Sequence, residues 1–231
     1  MSQIVNDIKN KVIVSCQSAS GEPFYDHNCF LEMLKAVIKG GAEGLRLAGA
    51  NHVEEGRKLC DLPIIGITKP DPLPENWKDE VYITVTLDNA RSLAKAGADI
   101  IAVYGTSRKR PVENLAEILE KIKTELNCLV MADISTLEEG LMCKLLKADL
   151  ISTTLSGYTS STIDRNNGEP DFDLLKNLVK ITDCPIILEG RIWTPEHIKQ
   201  AFRLGAHAVV VGSAVTRPHL ITERFVKLGK E

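Results

Sequence analysis

Cysteine never occurs here in the CxxC spacing of a metal or redox pair; the six residues (Cys16, Cys29, Cys60, Cys128, Cys143, Cys184) are scattered. Most lie in or beside apolar segments and read as buried thiols, a pattern that suits a reducing cytosol better than a secreted disulfide framework. Long hydrophobic runs are missing as well. No stretch approaches the ~20 apolar residues that span a bilayer, and the opening MSQIVNDIKNK lacks the apolar core of a signal peptide. The expectation is a cytoplasmic protein with no membrane contact. Positive charge is not in excess either. There are 28 Lys and Arg against 31 Asp and Glu, a net charge of −3, which argues against a general nucleic-acid binder. No GxGxxG or P-loop pattern occurs, so no nucleotide or dinucleotide is implied. The five histidines (His27, His52, His197, His207, His219) sit in helical, turn or junction segments without metal-ligand spacing, and no metal is expected.

What remains is an ordinary apolar fraction, 44% of 231 residues, enough for one α/β barrel or two small domains. Short Val, Ile and Leu runs alternate with helical patterns such as CFLEMLKAVIKG, LDNARSLAKAG, VENLAEILEKIKTEL and TPEHIKQAFRLG. The runs predict buried parallel strands near 12–16, 44–47, 64–68, 100–104, 129–133, 149–154, 186–190 and 208–212. Eight βα units with nothing left over give a single (β/α)₈ TIM barrel over residues 1–231. GGAEGLRL, AGADIIAV, LKADLIST and LGAHAVVV form a weak repeat. In each, small residues suit a tight helix-to-strand turn, and none is expected to be catalytic. Two long connections, KPDPLPENWKDE and SGYTSSTIDRNNGEPD, fall on the active-site side, where long loops are frequently lids. SRKRP at 107–111 reads as a basic, solvated turn.

Chemistry is concentrated at the strand ends, which a barrel gathers on one face. VIVSC runs into Gln17, GLRL contains Arg46, IIGIT runs into Lys69, LVMA into Asp133, PIIL into Glu189, and AVVV into Gly212 and Ser213. A lysine in a barrel mouth is partly desolvated, which frees its amine to act as a base, and Arg46 nearby would push it the same way. Glu189 could face it across the mouth, so that the two move a proton at one carbon. The plain alternative is a Lys69–Glu189 ion pair bridging strand ends. Arg46 can hold a carbonyl or hydroxyl oxygen and stabilise a developing enolate. Asp133 can accept from sugar hydroxyls or orient a cation, and Gln17 offers a donor and an acceptor. Gly190 and Arg191 after strand seven, with Gly212, Ser213 and Arg217 after strand eight, lie where barrels often hold phosphate.

VIVSCQ, GLRL, IIGITK, VYIT, ADIIAV, MADIST, TTLSGYT, EGRIWTPE and VGSAVTRP together resemble the bacterial N-acetylmannosamine-6-phosphate 2-epimerases, in order and over almost the whole chain. The resemblance implies a (β/α)₈ barrel that interconverts N-acetylmannosamine 6-phosphate and N-acetylglucosamine 6-phosphate in sialic acid and amino-sugar breakdown. It implies no metal or organic cofactor, and a small amino-sugar phosphate as partner; a homodimer is left open. It assigns acid–base roles to Lys69 and Glu189, supporting roles to Arg46, Asp133 and Gln17, and a phosphate contact to Arg217. Two departures stand out: AVYGT where such proteins commonly read ALDAT, so that Tyr104 replaces an acid, and Val85 where YITPT would carry proline. Two other readings stay open at this point. One is a lyase forming a Schiff base at Lys69, and the other is a sugar-phosphate sensor without turnover, motivated by Tyr104.

Overall fold

A computed structural model describes residues 2–230, so both end positions of the expected domain lie outside it. Eight strands run in parallel: β1 (Lys11–Cys16), β2 (Leu45–Ala48), β3 (Ile64–Ile67), β4 (Ile100–Tyr104), β5 (Leu129–Asp133), β6 (Leu150–Ser152), β7 (Ile186–Glu189) and β8 (Ala208–Val211). Each pairs with its neighbour in sequence, and β8 returns to β1 through Val12↔Val209 and its neighbours, which closes the barrel. Seven helices alternate with the strands: α2 (His27–Lys39), α3 (Ala50–Leu59), α4 (Leu87–Lys95), α5 (Leu115–Glu125), α6 (Leu137–Leu145), α7 (Phe172–Ile181) and α8 (Pro195–Arg203). Before them comes α1 (Gln3–Asp7); after β8 come α9 (Ser213–Thr216) and α10 (Pro218–Leu228). The fold is the (β/α)₈ barrel that the strand arithmetic predicts.

Local chemistry sets where these helices begin. Thr86, Asn114 and Thr136 each close a capping box with the residue three positions on (Asn89, Glu117, Glu139), which satisfies two backbone donors at once. Thr194 accepts from the His197 amide, with Pro195 in the first turn.

Alternation along each strand then sorts the side chains. Val14, Leu45, Leu47, Ile64, Val103 and Leu188 face outward into the layer beneath the helices. Ile13, Ile65, Ile67, Ala102, Met131, Ile187 and Val210 fill the interior, and Val5 and Ile8 around α1 join that inner cluster. Because successive side chains point to opposite faces, Arg46, Tyr104, Asp133 and Glu189 share the inward parity, and so does Lys69, two residues beyond Ile67. The functional set is therefore selected by parity as well as by position.

Strand ends differ from the sequence reading in small ways. β6 stops at Ser152 rather than 154. Beyond it the Thr153 hydroxyl bonds the Glu189 backbone, lying 3.0 Å from its carbonyl oxygen and 3.1 Å from its amide nitrogen. The repeat sits at the helix-to-strand turns: Gly41, Gly97 and Gly205 adopt φ of 91°, 98° and 92°, and Lys147 holds the same place at φ 62°. Its acidic member caps the preceding strand, since Glu43, Asp99 and Asp149 accept from the Val12, Ile64 and Val130 amides. The basic turn at 107–111 is a correction. Arg110 is buried, donating to the Tyr104, Thr84 and Val85 carbonyls and so pinning β4 to the β3–α4 connection. Cys16 and Cys143 are buried as expected, but Cys29 is exposed. Among the described residues no helix is long and apolar enough to cross a membrane.

Candidate active site

At the carboxyl ends of the strands lies a cavity of about 290 Å³, lined by Gln17, Arg46, Lys69, Glu189, Gly190, Arg191, Gly212, Ser213 and Arg217. Every candidate catalytic or binding residue named from the sequence except Asp133 reaches its wall. Asp133 is fully buried behind Arg46, with carboxylate oxygens 2.6 and 3.1 Å from the two terminal guanidinium nitrogens. It therefore orients the arginine and is not placed to contact a ligand.

Arg46 ties the centre together. Its Nη1 also donates to Glu189 Oε2 at 2.7 Å. A guanidinium has five N–H donors; two go to Asp133 and one to Glu189. The Nε–H and one Nη2–H remain, adjacent along one edge, and Nε is buried without a partner. Burial alone disfavours the Arg46 cation, but Asp133 and Glu189 outweigh that and hold it charged. The Thr154 hydroxyl lies 2.8 Å from Asp133 Oδ1 and 3.0 Å from Glu189 Oε2, and its single proton serves one of them at a time.

Lys69 and Glu189 are displaced from their ordinary behaviour in opposite senses. Desolvation, helped by the Arg217 and Arg46 cations, lowers the Lys69 pKa, while Glu22 and Asp71 pull the other way. Burial raises the Glu189 carboxyl to about 7, with Asp133 adding to it and Arg46 opposing. An amine that loses its proton easily thus shares a cavity with a carboxyl that keeps one. The plain ion pair between them does not form: among the described residues Glu189 bridges to Arg46, and Lys69 makes no salt bridge.

The expected phosphate end is mixed. Gly190 and Arg191 adopt φ of 110° and 56° in succession, and Gly212 precedes the short helix α9. Arg217 lines the cavity and pairs with Glu22 at 3.0 Å. The Arg191 guanidinium does something else. It donates to the Glu169 and Ser156 carbonyls at 2.6 and 2.5 Å and lies over the Tyr158 ring, clasping the β6–α7 connection. Its Nε and Nη1 are thereby engaged away from the phosphate end.

Sequence reasoning missed Thr154 and Tyr82, both in the wall. Thr154 could have been found by stepping two residues on from the inward Ser152. Tyr104 does not reach the cavity wall. Its hydroxyl accepts from Arg108 at 2.8 Å and its ring packs edge-on against Tyr82, with centroids 5.2 Å apart. Burial pushes the phenol up to about 12, so this position carries a neutral hydroxyl. Both long connections do wall the cavity, through Leu73 in one and Tyr158 in the other, with Tyr82 and Leu155 next to them.

Comparison with known proteins gives consistent results. A family model described as "Putative N-acetylmannosamine-6-phosphate epimerase" matches residues 30–231. A curated protein of Mycoplasma mycoides named "Putative N-acetylmannosamine-6-phosphate 2-epimerase" is 42% identical over 95% of this chain and 96% of its own length. One of the same name from Clostridium perfringens is 44% identical over 96% and 98%. A solved structure, described as the N-acetylmannosamine-6-phosphate 2-epimerase from Clostridium perfringens, superposes with a TM-score of 0.90. It is 41% identical and covers 98% of this chain and 96% of that one.

Proposed function

The chain belongs to the N-acetylmannosamine-6-phosphate epimerase family, and from that premise we propose that it is an isomerase interconverting N-acetylmannosamine 6-phosphate and N-acetylglucosamine 6-phosphate. The two sugars differ only in configuration at C2. In the open-chain form that carbon lies beside an aldehyde, so its proton can leave as an enolate forms. The single observation that carries the reading is the opposed displacement of two groups in one cavity: Lys69 pushed toward the free amine, Glu189 toward the neutral acid.

Lys69 takes the C2 proton from one face; the planar enolate then turns its other face to the amine, and the proton Lys69 returns there inverts C2. Glu189 faces the same space with one oxygen held by Arg46 and Thr154. Its neutral form donates a hydrogen bond to a sugar oxygen near C2. As charge develops on the aldehyde oxygen, the Arg46 cation, held in place by Asp133, stabilises it electrostatically. Gln17 holds a sugar hydroxyl. The phosphate sits against Arg217, with the backbone of Gly190, Arg191, Gly212 and Ser213, which also line the cavity, as further donors.

The homodimer left open above finds support in α10, which has no buried residue and exposes Phe225, Val226 and Leu228, an apolar face of the kind a second copy covers. Sedimentation as a monomer would count against it.

Lys69→Ala tests the reading. Turnover should fall by at least about 10³-fold, while inorganic phosphate should raise the melting temperature of the variant and of the unmodified protein alike. Activity near that of the unmodified protein would remove Lys69 from its role.

A further inference from the structure

Within the β1–α2 connection, Glu22 lies between Gly21 and Pro23. Gly21 takes φ 86°, a conformation favoured by glycine, and Pro23 biases the residue before it to an extended backbone. The Glu22 side chain is about one-fifth exposed. Its two oxygens do different things. Oε1 accepts from Arg217 Nη2 at 3.0 Å, across the junction between the β1–α2 connection and the end of α9. Oε2 accepts from the Ala19 amide at 3.1 Å, which folds the connection back on itself just after Gln17. A second tether lies beside it: the Ser20 amide donates to both Asp71 oxygens, at 3.1 and 2.9 Å, linking this connection to the one that follows Lys69.

From this geometry we propose that Glu22 is a positioning residue for the anion end of the cavity, holding Arg217 with one oxygen and the Gln17-bearing loop with the other. It rests on the reading of Arg217 as the phosphate anchor. A guanidinium on a free side chain must be ordered when the ligand arrives, and that ordering weakens binding. Glu22 orders it beforehand and occupies one of five donors, so the remaining edge stays available to a phosphate. Glu22 does not line the cavity and touches no ligand in this account; it acts through Arg217. Its charge also reaches the amine. The groups that face Lys69 are the cations Arg217 and Arg46 and the carboxylates Glu22 and Asp71, with Glu189 across the cavity. Neutralising Glu22 removes an influence that favours the protonated amine, so Lys69 loses its proton at lower pH. Removing Arg217 does the reverse.

Three readouts on Glu22→Ala, Glu22→Gln and Arg217→Ala test this. With N-acetylmannosamine 6-phosphate, Glu22→Ala should raise KM about tenfold with kcat within about twofold. Its affinity for inorganic phosphate, measured by calorimetry, should fall by a similar factor. Glu22→Gln keeps an oxygen that accepts from Arg217 and should recover most of the loss, to within about threefold. The alkaline limb of kcat/KM should move to lower pH in Glu22→Gln and to higher pH in Arg217→Ala, opposite shifts that a merely structural contact would not produce. Unchanged KM and phosphate affinity in Glu22→Ala would overturn the proposal. So would a lowered KM, which would mean that Glu22 competes with the phosphate. Phosphate binding separates this proposal from the reaction: if the unmodified protein failed to interconvert the sugars, weaker phosphate binding by Glu22→Ala would still support it.

Discussion

Single residues decide the chemistry here by what surrounds them, and the sequence shows only part of that. Lys69, Glu189 and Arg46 could be picked out because each stands where an apolar run gives way. Their division of labour could not: it depends on Asp133 saturating one edge of Arg46 and on burial raising Glu189, neither of which has a signature along the chain. The reaction needs one proton shared between Lys69 and Glu189, and that sharing fixes the pH profile. Adding a second proton fills the pair at low pH, with an acid limb above the ordinary carboxylate range because the Glu189 pKa is raised to about 7. Losing the last proton empties the pair at high pH, with an alkaline limb below the usual lysine value of 10.5 because the Lys69 pKa is lowered. A bell-shaped kcat/KM is expected, its two apparent pKa values belonging to the pair. Activity that kept rising beyond pH 10.5 would contradict the depressed amine.

Elements read more easily than residues. Strands announced themselves as Val, Ile and Leu runs, and helices as the periodic segments between them. α1 was not legible, because five residues are too few for a helical period to show. Nor was the burial of Arg110, since a run of basic residues carries no sign of which one turns inward to meet three carbonyls. The repeat showed its glycines but hid the work of its acids, which cap the next-door strand. It also contains one misfit. Lys147 occupies, at φ 62°, the left-handed position that glycine holds in the other three copies. A side chain in that conformation costs about 1 kcal/mol. Lys147→Gly should therefore stabilise the fold by about 0.5–1 kcal/mol, offset in part by the looser unfolded chain. Denaturant unfolding checks this, and a fall in stability would show that the Lys147 stem contributes more than its backbone costs.

At the scale of the whole molecule, closure is what turns scattered residues into a site. Eight strands bring positions from 17 to 217 to one cavity of about 290 Å³, and the period-two alternation of each strand aims the chosen side chains inward. The barrel was legible because the count of βα units admitted little else. The walls contributed by the two long connections were not, since loops have no periodicity from which Leu73 or Tyr158 could be placed. The account makes Lys69 the group that moves the proton at C2, and the direct measurement is proton NMR of N-acetylmannosamine 6-phosphate in D₂O with the unmodified protein and with Lys69→Ala. The unmodified protein should replace the C2 hydrogen with deuterium as the second sugar appears, and Lys69→Ala should do neither while remaining folded. Exchange at C2 by Lys69→Ala at a rate close to that of the unmodified protein would contradict the account.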